Sequence, residues 1–343
     1  MKAFQLVEQG RPGRFELREV ADPIPGPDEV VVRVAACGLN RLDLWAEEAG
    51  LPVPVTLPRT LGGELAGTVA RVGSGVTGWP EGARVAVQSN LTCGRCEYCV
   101  AGEDSMCLEG RLLGVQCDGG FAELCLVPAR ALVALPDRVE FGTSAALTLA
   151  GSTAMHMLNH RVRVQPGQTV LVIAGTSGVG SAGIQVARGL GARVIATASS
   201  PEKREFCRAL GAEEVVDSTA ADWPAQVRRW TDKRGVDVVL EHVGGRVLEQ
   251  VFQCLARGGS VVTCGATAGR EVTMNLWPFF VKQHRLIGSY GRNRADLETT
   301  LRWAAEGKLV ASVEEAVPWS RGAEAFQRLR SRSVRGKLVL VPG

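Results

Sequence analysis

Thr169 to Leu190 reads TVLVIAGTSGVGSAGIQVARGL, and the fold turns on this stretch. Thr169 to Ile173 is an apolar run rich in β-branched side chains, which specifies a buried strand. A turn of small residues follows, Ala174-Gly175-Thr176-Ser177-Gly178-Val179-Gly180. Val179, Ala182, Val186 and Leu190 then recur at helical spacing and draw one apolar stripe along an amphipathic helix. Strand, glycine turn and helix, in that order, are the setting of a dinucleotide fingerprint. Glycines permit a tight turn and let the backbone approach a pyrophosphate, whose charge meets the N–H groups left over at the helix start. Gly175, Thr176, Ser177, Gly178, Val179 and Gly180 are therefore the candidate cradle. The middle glycine of G-x-G-x-x-G is Ser177 here, and a buried β-turn-α can use glycines for packing alone. The rest of the chain has to carry the reading.

Around this stretch strands and helices alternate. The pattern predicts strand 193–197, helix 201–210, strand 214–216, helix 222–231, strand 236–240, helix 246–256 and strand 260–264. Such alternation means a doubly wound parallel sheet with right-handed crossovers. A long helix is expected over 141–159. Residues 1 to about 130 read differently: strands at 29–34, 65–72 and 84–88 are broken often by proline and glycine, which suggests a partly open β-barrel. After Arg285 the pattern loosens, with helices near 295–306 and 321–330 and a last strand, Lys337 to Val341. This tail is expected to return to the first domain. The predicted organisation is an α/β chain in which a dinucleotide-binding domain (154–285) is inserted in a β-rich domain (1–153 and 286–343), with a cleft between them.

The 343 residues suffice for two cores. An apolar fraction of 45% and a charged fraction of 22% are those of an ordinary globular protein. A net charge of +3 makes no case for a nucleic-acid partner, and the apolar runs are too short to cross a bilayer. The amino terminus has no signal-peptide layout, so a cytoplasmic location is expected. The ten cysteines are then reduced thiols or metal ligands. Four of them, Cys93, Cys96, Cys99 and Cys107, stand as C-x2-C-x2-C-x7-C. Four thiolates on a short loop suit a tetrahedral Zn²⁺ and leave no open coordination position, so the site would be structural and would hold a lobe at about 90–110. Unrelated surface thiols are the plain alternative; an iron–sulfur cluster usually takes other spacings.

Dinucleotide-binding domain, leading β-domain and four-cysteine lobe together resemble the medium-chain dehydrogenase/reductase superfamily, whose branches include zinc alcohol dehydrogenases and quinone oxidoreductases. The similarity runs through Ala36-Cys37-Gly38-Leu39-Asn40-Arg41-Leu42-Asp43-Leu44, Leu61-Gly62-Gly63-Glu64-Leu65-Ala66-Gly67 and Asp118-Gly119-Gly120-Phe121-Ala122-Glu123. It implies a Rossmann domain inserted in a GroES-like barrel, with a structural zinc on the four cysteines. The zinc alcohol dehydrogenases carry C-G-x-C-x-T-D, with the second cysteine a ligand of a catalytic zinc and the threonine a proton relay; Asn40 and Leu42 stand there in this chain. Their G-H-E is Gly62-Gly63-Glu64, the ligand before their A-G-x-T is Leu149, and their relay histidine is Trp45. Asn40 is similar to the asparagine of the quinone oxidoreductases. The resemblance thus implies a structural zinc without a catalytic one.

For the cofactor, an NAD site usually carries Asp or Glu at the end of the second strand, about 20 residues past the glycine turn. That strand ends here in Thr197-Ala198-Ser199-Ser200-Pro201-Glu202-Lys203-Arg204. No acid stands at its end, Ser199 and Ser200 can donate to a 2′-phosphate, and Lys203 or Arg204 can supply charge. NADP(H) is favoured over NAD(H). Ser200 also serves as a cap for the next helix, with Pro201 in its first turn. The resemblance adds Val243 and Gly265 beside the nicotinamide.

Hydride transfer to a plain ketone builds charge on one oxygen, which a metal stabilises by several kcal/mol. Without the metal, hydrogen-bond donors are needed, each worth ~3 kcal/mol in a favourable site. An enone or quinone spreads the charge, so weaker donors suffice. The expected activity is therefore reduction of a carbonyl, quinone or enone, with Asn40, Asp43 and Glu64 as candidate catalytic residues: Asn40 as donor, Asp43 orienting backbone, Glu64 as anchor or catalyst. His242, at a strand end, either touches the nicotinamide or packs as an ordinary core histidine. The competing readings are a zinc alcohol dehydrogenase with unconventional ligands (Cys37, Asp43 and Glu64) and a nucleotide-binding protein without turnover. Partners are expected to be a small-molecule substrate and further copies of the chain, as homodimer or homotetramer. The apolar segment Val272 to Phe280 suits a subunit contact or packing inside the domain.

Overall fold

Thr169–Val172 is buried at every position, as a strand with helices over both faces must be. A computed structural model, which describes residues 1–343, places it inside a six-stranded, all-parallel sheet. The spatial order is Glu214–Asp217, Arg193–Ala198, Thr169–Val172, Val236–Glu241, Leu255–Thr263, Arg285–Gly288. In sequence terms this is 3-2-1-4-5-6, the doubly wound order that binds dinucleotides where the winding reverses. The reversal falls between Thr169–Val172 and Val236–Glu241, so the glycine turn and the residues after Glu241 flank it. The compact unit built on this sheet comprises Ala150–Gly291 and Lys308–Val310.

The chain's other unit, Met1–Leu149 with Arg292–Gly307 and Ala311–Gly343, is organised by Glu29–Gly38. One edge of that strand pairs antiparallel with Glu64–Val72, bringing Gly38 opposite Glu64. Its other edge is shared: Glu29 to Arg33 pair with Leu124–Pro128, and Cys37 and Gly38 pair with the carboxy-terminal strand Lys337–Val341. Arg84–Val87, Leu132–Ala134 and Val313–Pro318 complete a seven-stranded sheet. A smaller sheet of Arg14–Glu19, Lys2–Glu8 and Arg59–Thr60 lies beside the same core, which includes Leu6, Val32, Leu65, Phe121, Trp319 and Phe326. No helix of the chain is long and apolar enough to cross a membrane.

Four expectations need correction. The helix expected over 141–159 is broken at 148–149: Phe141–Leu147 is followed by Ala150–Met155, which runs on as a π-helix over His156–Arg161. The cause is a buried carboxylate: Glu64 Oε1 takes the Leu149 N–H at 2.6 Å and draws it out of the helical ladder. The helix expected over 246–256 is Gly245–Val251, because Leu255 pairs with Val236 and opens the next strand early. The sequence predicts no strand after 260–264, but Arg285–Gly288 pairs beside it as the sheet edge and continues past the domain boundary expected at 285. The strand Val313–Pro318 has no counterpart in the tail that the sequence predicts.

Candidate functional site

Three constellations carry chemistry. The first is the four-thiol lobe. Its helices Glu97–Val100 and Asp104–Met106 bury no residue, and Val100, Met106 and Leu108 are exposed, so the lobe has no core of its own. The Sγ atoms of Cys93, Cys96, Cys99 and Cys107 nevertheless all lie within 4.8 Å of one another. The Cys93 to Cys99 distance is 4.0 Å, close to the ~3.8 Å that Zn–S bonds of about 2.3 Å impose in a tetrahedron. The Cys93 N–H points at Cys107 Sγ (3.2 Å) and the Cys96 N–H at Cys93 Sγ (3.4 Å), as donors that support thiolates. These residues fit a structural Zn²⁺.

The second is the turn after Thr169–Val172. Ala174 adopts φ +49°, its N–H bonds Thr197 Oγ1 (3.0 Å), and Gly175 N–H bonds Thr197 O (2.9 Å). Ser177 caps the helix Gly178–Gly189, its Oγ accepting from Gly180 N at 2.9 Å. The serine in the fingerprint's middle position is thus a cap. A Cβ on Gly175 would meet Cys207 Sγ at 2.8 Å, and one on Gly180 would meet Ala174 O at 2.3 Å. The glycines are required by packing. Thr176, Gly178 and Val179 lie in the same turn, and first-turn amides have no partner inside their helix, which suits an anion. Across the reversal, buried Glu241 pins the neighbouring loop by accepting from the N–H groups of Val243 (2.6 Å) and Gly244 (2.7 Å) and from Thr263 Oγ1 (2.6 Å). Gly265 packs on His242 O, 2.3 Å from where a Cβ would stand. His242 Nε2 lies 3.0 Å from Ile173 O and 3.2 Å from Ser177 Oγ, and burial lowers its basicity. It ties strand to turn as a neutral imidazole. Ser199 is exposed past the end of Arg193–Ala198; Ser200 caps Pro201–Ala209, accepting from Lys203 N (3.3 Å). Arg204 is engaged by Asp217 at 2.8 Å. The turn and helix start fit a dinucleotide's phosphates.

The third constellation gathers Asn40, Asp43 and Glu64 around a residue that sequence reasoning missed, Lys337. Glu64 is 0% exposed and Lys337 5%. Lys337 Nζ donates to Glu64 Oε2 (2.6 Å), Asn40 Oδ1 (2.6 Å) and Leu39 O (2.8 Å), using all three of its hydrogens. Asn40 Nδ2 donates to Glu64 Oε2 (2.8 Å) and stands 3.2 Å from Gly38 O. Glu64 Oε1 holds Leu149 N–H. Asp43 accepts from Asn40 N (2.8 Å) and from Gly62 N (3.1 Å), and so fixes the start of Arg41–Glu47 against the Gly62 turn. Cys37 is buried beside these carboxylates, and burial holds its thiol well above the ordinary range. Gly63 offers no side chain, and a Cβ there would meet Leu113 O at 2.8 Å. The signal for Lys337 is one lysine at the head of an otherwise apolar strand, KLVLV; only the strand order reveals its partners.

Burial raises the Asp43 carboxyl to about 7, against the pull of the Asn40 N–H and the Lys337 charge. Its folded pKa lies above the unfolded value of about 3.9, so folding takes up a proton between the two. Stability from this group is therefore full below about pH 4 and declines as pH rises toward 7. Measured by thermal melts, wild-type Tm is expected to fall relative to Asp43→Asn from pH 4.5 to 7.5; a constant difference contradicts the assignment.

A doubly wound dinucleotide-binding unit inserted into a β-rich unit with a four-thiol lobe defines a class, the two-unit nicotinamide oxidoreductases. Residues 26–137 match the family model of the alcohol dehydrogenase GroES-like domain, and residues 178–306 that of the zinc-binding dehydrogenase. The alcohol dehydrogenase of Geobacillus stearothermophilus is 32% identical over 344 residues, covering 99% of each chain. Among solved structures, an NAD-dependent alcohol dehydrogenase superposes with a TM-score of 0.96 at 39% identity over 100% of both chains. The 2-octenoyl-CoA carboxylase reductase CinF, in complex with NADP and 2-octenoyl-CoA, does so with 0.88 at 26% identity, over 99% of this chain and 87% of its own. The chain belongs to the zinc-containing alcohol dehydrogenase family of the medium-chain dehydrogenase/reductase superfamily.

Proposed function

We propose that this family member is an NADPH-dependent reductase of conjugated carbonyl compounds, quinones or enones, holding one structural zinc and no catalytic one. One observation carries the reading. Catalytic zinc needs three protein ligands. The corresponding positions hold Asn40, Gly63 and Leu149, and both oxygens of the one remaining acid, Glu64, are engaged by Lys337, Asn40 and the Leu149 N–H. A second cation would have to displace an ammonium already bonded three times. The reading with Cys37, Asp43 and Glu64 as ligands meets the same obstacle, because Asp43 is spent on two backbone N–H groups.

The bound nicotinamide supplies the hydride. The chain's part is to bind and orient: Gly175 to Gly180 for the pyrophosphate, Ser199 and Lys203 for the 2′-phosphate, Val243 and Gly265 for the nicotinamide, and Asn40 as the donor toward the acceptor's oxygen. The absence of an acid at the end of Arg193–Ala198 supports NADP(H). The CinF complex, with NADP and an α,β-unsaturated thioester, supports the same cofactor and electrophile class. A homo-oligomer is part of this reading. Leu276 (64%), Trp277 (70%) and Phe280 (56%) are exposed on the helix Leu276–Val281, near in sequence to the sheet-edge strand, while Phe279 packs on Phe252 inside the domain.

The test joins metal analysis to turnover. The purified protein is expected to carry one zinc per subunit and to oxidise NADPH with a panel of quinones and enones, in preference to NADH, without added metal. Two zincs per subunit, with alcohol turnover lost on chelating one, rejects the reading. Tight NADPH binding with no oxidation by any acceptor means a non-catalytic nucleotide binder.

A further inference from the structure

Three adjacent strands set Val339, Gly38 and Glu64 in a row, with Lys337 two residues before Val339 on the first of them: Val339 pairs with Gly38, and Gly38 pairs with Glu64. A side chain in the middle would crowd the acid. A Cβ at position 38 would lie 2.4 Å from Glu64 Oε2 and 2.3 Å from Ala145 O. Glycine at 38 leaves room for the Glu64 carboxylate that the lysine meets. The result is a half-buried amide held between two groups of opposite hydrogen-bonding character. An ammonium only donates; a carboxylate with a carbonyl only accepts. Asn40 Oδ1 faces the first and Nδ2 faces the second. An isolated asparagine can turn its amide over at little cost, but here the reverse orientation would set N–H against N–H and oxygen against oxygen.

We propose that Lys337 is a positioning residue: with Glu64 it fixes the amide of Asn40 so that this side chain can present only a donor to the substrate's developing negative charge. This rests on the reading of Asn40 as the donor of a metal-free reductase. The longer of the two Nδ2 contacts, 3.2 Å to Gly38 O, leaves the hydrogen that an acceptor oxygen placed near the amide plane would share. The other stays on Glu64. An inverted amide would offer a lone pair to that oxygen, and the transition state would lose a donor and meet a repulsion.

The variants follow from the polarity argument. Lys337→Met alone strands a buried carboxylate and can fail to fold. The double variant Lys337→Met/Glu64→Gln removes both charges at nearly constant volume, a change that buried pairs often tolerate. With the new amide at position 64 keeping its oxygen on the Leu149 N–H, its nitrogen faces Asn40 and drives that side chain over. We expect this protein to melt within a few degrees of wild type, to bind NADPH with KM within about twofold, and to lose kcat by about tenfold or more. Lys337→Arg, which still only donates, is expected to retain at least about a third of kcat. Wild-type kcat in the folded double variant overturns the proposal, as does equal loss in Lys337→Arg and the double variant. Wild-type protein that fails to turn over, or that carries a second zinc, sinks the functional reading and takes this role of Lys337 with it. Normal turnover with one zinc and an indifferent double variant sinks the role of Lys337 alone.

Discussion

If the four thiols hold zinc, Cys107→Ser is expected to yield a protein without that zinc, whose residues 90–112 are cut by trypsin about 100-fold faster or more, at Arg95 and Arg111. The lobe buries none of its helical residues, so a metal on the four thiols would be what holds it. Structural zinc contributes on the order of 10 kcal/mol in small metal-organised domains, and three thiolates do not replace four. A 100-fold rise in opening uses only about 3 kcal/mol of that. The effect should travel beyond the lobe. Ser105 N bonds Asn293 Oδ1 (3.0 Å), Asn293 Nδ2 bonds Glu103 Oε2 (3.0 Å), and Arg294 N bonds Asp104 Oδ2 (2.8 Å), so the lobe caps the helix Arg294–Ala305. Metal analysis and limited proteolysis with mass spectrometry read the outcome. Unchanged zinc and unchanged cleavage would mean the thiols are not ligands.

What the sequence discloses follows from how local the information is. The run from Thr169 to Leu190 contains its own strand, turn and helix, and each is where the pattern puts it, to within a residue or two. The four cysteines fall within fifteen residues, and their spacing alone implies the cluster. Lys337 is the opposite case. Its partners Asn40 and Glu64 are more than 270 residues away, and they meet only because the last strand returns to pair with Glu29–Gly38. Composition and periodicity describe Lys337–Val341 as an apolar strand with a charged first residue, which ordinarily means a solvated end. The broken helix at Leu149 is hidden for the same reason: the competing acceptor, Glu64, lies 85 residues earlier. Local propensity favours one helix there, and a buried carboxylate overrides it. The early start of Leu255–Thr263 is also a pairing effect, drawn by Val236 across the sheet.

On the proposed NADP(H) reading, Gly180→Val is expected to remove NADPH binding, raising Kd by about 100-fold or more, and a control in the same helix separates this from general damage. Gly180 stands where the turn closes on the helix. A Cβ there would lie 2.3 Å from Ala174 O and 2.9 Å from both Gly175 Cα and Ser177 Oγ. Two of these three atoms are backbone, so no rotamer change relieves the clash. The turn has to move away from the helix start. That motion pulls Gly175 to Val179 off the amides of the first turn and breaks the cap from Ser177 Oγ to Gly180 N. The phosphate cradle is lost with it. Gly183→Ala, in the same helix, puts its Cβ 2.8 Å from Leu240 Cδ1, the far end of a flexible side chain, and 3.6 Å from Val172 Cγ1. Its cost should be about 1–3 kcal/mol of overpacking, partly offset by alanine's better helix propensity. NADPH affinity should then stay within a fewfold of wild type. Fluorescence titration of NADPH, paired with thermal melts, distinguishes the two variants. If both lose stability equally and both keep the dinucleotide, the turn after Thr169–Val172 is a packing device, and the charge of the pyrophosphate must be met elsewhere in the unit.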